Sequence, residues 1–161
     1  MLWKKSSFVY PVCVLISILF IWCLVPGLAE EEPLKSYVGS EACGECHADQ
    51  FEAFQSYAKK AKSFESIRVM QKGLTEMEKK ECYVCHTTGY GTRGGFTSEA
   101  ETPQLKNAGC EVCHGPGSLH VESEDPEDIF AVLSIETCNT CHNSERVDAF
   151  KFKPLLFGGA H

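Results

Sequence analysis

The sequence predicts a mainly α-helical fold with long loops. Three observations carry that expectation. Apolar residues from Ala48 to Met70 recur near the helical period, at Phe51, Phe54, Ala58, Ala61 and Phe64. The alternating apolar and polar runs that mark strands are absent. Glycine and proline gather between the periodic stretches, with Gly89, Gly91, Gly94 and Gly95 close together.

The elements follow in chain order. Met1 to Ala29 has no acidic residue, a positive start at Lys4 and Lys5, and an almost unbroken apolar run from Phe8 to Val25. Gly27 and Ala29 put small residues where a signal peptidase cleaves. This is the layout of a secretory signal peptide, residues 1–29, removed after Ala29. The competing reading is an uncleaved anchor, but the run is at the short edge for a bilayer span and Pro11 interrupts it. Trp22 is too bulky beside Cys23 for a lipoprotein site. The exported part, 30–161, reads as one domain. It keeps all 22 acidic side chains and loses two of the 15 basic ones with the leader. An acidic balance of this kind argues against nonspecific binding to nucleic acid, which needs a basic surface, so no nucleic-acid partner is expected.

Ala48 to Met70 reads as a helix. Thr75-Glu76-Met77-Glu78 is a capping box opening the next one. Gly89 to Gly95 must be a loop, and no Lys-Ser/Thr follows to make it a phosphate loop. Pro103 suits the first turn of a helix leading toward Cys110. Gly115-Pro116-Gly117 stops that helix, and Asp125-Pro126 supplies an N-cap and a first helical position for another.

The chemistry lies in the cysteines. The full chain has ten, and the eight beyond the leader fall in four motifs: Cys43-Gly44-Glu45-Cys46-His47, Cys82-Tyr83-Val84-Cys85-His86, Cys110-Glu111-Val112-Cys113-His114 and Cys138-Asn139-Thr140-Cys141-His142. Each is C-x-x-C-H, the attachment signature of c-type haem. Two thiols at that spacing reach the vinyl groups along one porphyrin edge. The following imidazole then meets the iron as proximal ligand. Zinc ribbons, redox dithiols and disulfides also use paired cysteines. None of them requires histidine after every second cysteine, as here in four motifs of four. The sequence therefore predicts four covalently attached haem c groups, with Cys43, Cys46, Cys82, Cys85, Cys110, Cys113, Cys138 and Cys141 as thioether sites. His47, His86, His114 and His142 are the proximal iron ligands.

Shared among four haems, the exported chain is too short to enclose them and also bury a separate apolar core. The expectation is a small multihaem cytochrome c fold in which haems form the core, and an apo-chain that is largely unfolded. Six histidines cannot fill eight axial positions. His120, beyond the Gly-Pro-Gly turn, is expected to reach a neighbouring haem rather than its own. His161, behind Gly158-Gly159, is the other distal candidate. Met70, Met77 and Lys60 are further donors, and an open or water-bound site is the expectation where no histidine is left.

Gly89-Tyr90-Gly91, Gly94-Gly95-Phe96-Thr97 and Gly109-Cys110-Glu111-Val112-Cys113-His114-Gly115-Pro116-Gly117 resemble the tetrahaem cytochrome c-554 family, from about Gly39 to about Asn143. The resemblance implies a mainly helical fold with closely packed haem pairs and periplasmic electron transfer. It also implies a distal histidine on the helix after the first motif, where this chain has Lys60, flanked by Lys59 and Lys62.

The reading that follows is a periplasmic electron carrier between redox-partner proteins. It would be membrane-anchored if the leader stays. Two alternatives remain: a haem enzyme reducing a small nitrogen or oxygen species at an open iron, and a subunit of a larger membrane respiratory complex. No Ser-His-Asp triad or carboxylate pair points to other catalysis. Lys59 to Lys80 holds seven basic and three acidic residues, and Val121 to Asp148 eight acidic and one basic. These are candidate docking faces of opposite sign.

Overall fold

The computed structural model describes residues 34–143. The expected leader, 1–29, and His161 lie outside the described residues. Seven α-helices follow in order: α1 (Ser40–Gly44), α2 (Ala48–Tyr57), α3 (Phe64–Met70), α4 (Glu76–His86), α5 (Glu111–His114), α6 (Ser118–Ser123) and α7 (Ile135–Asn139). Four 3-10 turns join them, at Lys59–Lys62, Gln71–Gly73, Pro103–Leu105 and Pro126–Asp128. Among the described residues there is no strand, and no helix is long and apolar enough to cross a membrane.

The helix expected over 48–70 is broken. Ala58 is extended (φ −82°, ψ 118°), closing α2 with its N–H on the Phe54 carbonyl. The break divides the apolar face between two clusters. Phe54, Ala58 and Ala61 form one. Phe64, Ile67, Phe96 and Leu105 form the other, with Tyr37, Cys82, Tyr83 and Tyr90 packed against it. One straight helix could not serve both. The reading that haem alone forms the core is thus amended, since a small side-chain core exists beside the motifs. It bears directly on the second motif. Tyr83, inside that C-x-x-C, meets Phe96 and Tyr90 edge-on, each at 5.3 Å between ring centres.

Helix α4 starts as its sequence predicts. The Thr75 hydroxyl accepts from Glu78 N–H at 3.3 Å, and the Glu78 carboxylate accepts from Thr75 N–H at 2.8 Å. The two prolines behave differently. Pro103 and Pro126 each open only a single 3-10 turn. Asp125 still caps, its carboxylate accepting from Glu127 N–H at 2.9 Å. The glycine loop is pinned at its base: Thr88 N–H donates to the Leu105 carbonyl and Phe96 N–H to the Thr88 carbonyl, both at 2.9 Å. Gly89 (φ +69°) lies so close to Tyr37 that a β-carbon would fall 2.6 Å from its ring.

Candidate haem sites

The motifs share one local shape, a single helical turn. His47 N–H donates to the Cys43 carbonyl at 2.9 Å, His114 N–H to Cys110 at 3.0 Å and His142 N–H to Cys138 at 2.9 Å. Motif two lies wholly inside α4. On one turn, residues three and four apart share a face. Both thiols and the imidazole of each motif therefore stand on the same side of the backbone.

The imidazoles are oriented by main-chain carbonyls. His86 Nδ1 lies 2.9 Å from the Ser63 oxygen, and His114 Nδ1 lies 2.7 Å from the Phe130 oxygen. His120 Nδ1 lies 2.9 Å from the Asp125 oxygen. A carbonyl only accepts, so Nδ1 carries the hydrogen, and in the neutral ring the lone pair is then on Nε2. A metal-binding imidazole needs that tautomer. Two of these anchors are reciprocal. Phe130 N–H donates to the His114 carbonyl at 3.0 Å, and the Ser63 hydroxyl donates to the His86 carbonyl at 2.8 Å.

His47 and His120 face each other with ring centres 6.1 Å apart and planes within 17°. Near-parallel rings at that distance lie within the range of stacked pairs. Two imidazoles on opposite sides of one metal, each bonded at about 2 Å, set their centres about 6 Å apart.

The thiols show which motifs are neighbours. Cys43 and Cys110 are hydrogen-bonded across motifs one and three. That bond, reinforced by burial, pushes the Cys43 thiol well above its ordinary value, and the same bond lowers Cys110 to about 6. Burial raises Cys113, Lys60 opposes the rise, and Cys138 and Cys141 add to it, so the third motif also adjoins the fourth. His142 is lowered first by burial and then by the Lys60 charge. Of the three lysines there, Lys60 is half-buried while Lys59 and Lys62 are exposed. Met70 and Met77 are exposed, at 59% and 74%.

No disulfide joins any of the eight motif cysteines. Among the described residues, no three Cys, His, Asp or Glu side chains converge on one metal position, as a zinc ribbon would need. The donor set fits c-type haem instead: two thiols and an imidazole on one face of each motif turn.

Sequence reasoning missed the residues behind these ligands. Ser63, Phe130 and Asp125 act through backbone carbonyls, which every residue has, so no side chain announced them. Glu111 occupies a variable position inside the third motif and is only 2% exposed. Its carboxylate accepts from Val38 N–H at 3.0 Å, Gly39 N–H at 2.8 Å and Gly117 N–H at 2.8 Å. The only hint was an acidic residue set between Gly109 and the Gly-Pro-Gly turn.

Comparison with known proteins agrees with this geometry. Residues 42–115 match the family model described as cytochrome c554 and c-prime. Over 101 residues the chain is 36% identical to cytochrome c-554 of Nitrosomonas europaea, an alignment covering 56% of this chain. The chain spans 41% of that relative's length. The solved structure of the reduced state of cytochrome c554 from Nitrosomonas europaea superposes with a TM-score of 0.55 at 23% identity, covering 77% of this chain and 83% of that one, a likeness of fold. Motifs, helical fold and matched sequence agree: residues 42–115 carry the pattern of the cytochrome c554 family, and the chain is similar in sequence and fold to a multihaem cytochrome of that kind.

Proposed function

We propose that this chain is a periplasmic tetrahaem electron carrier, exported by residues 1–29 and functional as residues 30–161. The observation that carries the reading is the repetition of one helical-turn motif four times, each placing two thiols and an imidazole on one face. Cys43 and Cys46, Cys82 and Cys85, Cys110 and Cys113, and Cys138 and Cys141 are the thioether pairs. His47, His86, His114 and His142 are the proximal ligands. His120 is the distal partner of His47, which the 6.1 Å facing of their rings supports. His161 is a second distal ligand, and positions without histidine stay open or take water.

The haem irons supply reversible one-electron chemistry when bound. The chain's part is to hold that chemistry in place. The Cys43–Cys110 contact and the approach of Cys113 to Cys138 and Cys141 set neighbouring sites close together. The carbonyls of Ser63, Phe130 and Asp125 fix imidazole direction, so ligation changes little between oxidation states. Redox partners dock by charge. Exposed Lys59, Lys62, Lys72 and Lys80, with exposed Val69, Met70 and Met77 among them, suit an acidic partner surface.

The test is mass spectrometry of the exported holo-protein with a spectroscopic redox titration. Cleavage after Ala29 and four covalent haems per chain are expected. Fewer than four on fully matured protein overturns the four-site assignment, and an intact leader overturns its removal.

A further inference from the structure

The Glu111 carboxylate lies where three parts of the haem scaffold meet. Val38 and Gly39 immediately precede α1, which carries Cys43, and both donate N–H to it. Glu111 itself sits between the two cysteines of the third motif. Gly117, the residue from which α6 springs, donates the remaining N–H, and α6 carries His120. These partners are all N–H donors, so both carboxylate oxygens act as acceptors. At 2% exposure the group is scarcely screened by water. Cys110 precedes Glu111 directly in the chain, and Cys110 is in turn hydrogen-bonded to Cys43 of the first motif.

We infer that Glu111 positions and tunes the haem sites: its buried carboxylate locks the first motif, the third motif and the His120 helix into one register, and its charge lowers the reduction potentials of the first and third haems. This rests on the tetrahaem reading above. Oxidised iron carries one more positive charge than reduced iron. A fixed anion beside the site therefore favours the oxidised state, and net charge near the centre is one of the protein's levers on potential. A structural clasp alone would not require the charge. The three N–H groups could equally be met by a neutral acceptor or by water.

The experiment is an optical redox titration of holo-protein carrying Glu111→Gln, with haems counted by mass on the same samples. The glutamine keeps the length and one acceptor oxygen but removes the charge. The expected result is four haems with two of the potentials raised by at least a tenfold change in the reduction equilibrium. For a one-electron couple that is about 59 mV. Potentials superposing on wild type overturn the inference. Where Glu111→Gln fails to load four haems, Glu111→Asp decides. Full loading with wild-type potentials upholds the need for charge, while failure to load or shifted potentials leaves Glu111 a clasp and overturns the tuning role. A wild-type chain lacking four haems fails the tetrahaem reading instead, which the haem count separates from this one.

Discussion

His120 illustrates how much a single imidazole carries. Its ring is held by the Asp125 carbonyl and faces His47 at 6.1 Å, with 17° between the planes. The acidic turn that follows supplies the hold: Glu124 adopts φ 58° after α6, and Asp125 N–H donates to the Ser123 hydroxyl at 3.1 Å. On the proposed ligand set, replacing His120 with alanine leaves the iron at His47 with one axial imidazole. We expect one haem per chain to turn from low to high spin and to bind carbon monoxide when reduced. Absorption and EPR spectra of the variant check this, and unchanged spectra would remove His120 from the ligand set. The sequence singled out His120 by its position past a Gly-Pro-Gly turn. It could not pair His120 with His47, because the two stand far apart along the chain and only folding brings the rings together.

At the scale of elements, α4 is the longest described helix, and it ends in the second motif. Its start was legible because a capping box is local: Thr75 and Glu78 satisfy each other's N–H within a single turn. Thr75→Ala should cost about 1 kcal/mol, read as a lower unfolding midpoint of the holo-protein. The Glu78 carboxyl is held below the usual carboxylate range, first by the Thr75 N–H and then by the Thr75 hydroxyl. A depressed folded value means the cap's contribution is complete above the ordinary glutamate range. It fades as pH falls through the lowered value. The gap between wild type and Thr75→Ala should therefore narrow in acid and hold at neutral pH. The helix over 48–70 was only partly legible. Its periodicity gave the correct buried residues at Phe54, Ala58, Ala61 and Phe64, but not the break at Ala58. Beyond the break the chain is tied by Ser63 to His86 and Ala108, both distant in sequence.

For the whole molecule, the governing constraint is arithmetic. On the four-haem reading, the six histidines of this sequence against eight axial positions leave at least two irons without a second imidazole from it. The holo-protein should show mixed spin states, and carbon monoxide should bind to a subset of its reduced haems. A ligand titration followed optically gives the number. Saturation of no sites would require non-histidine donors at two or more irons, with half-buried Lys60 the first to substitute, given its reach to His142.

The sequence by itself determined the four C-x-x-C-H motifs, the helical class, the family resemblance and, on the four-haem reading, the shortage of histidines. Each of these is written in residue types at short spacing, where local chemistry suffices. Only the tertiary structure decided which motifs adjoin, with Cys43 beside Cys110 and Cys113 beside Cys138 and Cys141. It also decided that a small apolar core of Phe64, Ile67, Phe96 and Leu105 stands beside the second motif. Glu111 became visible as a buried acceptor only there, with N–H donors from both sides of the third motif. The physical reason is common to all three. Burial, pairing of distant turns and the partners of a carboxylate depend on contacts between segments far apart in the chain, and no short-range pattern encodes them.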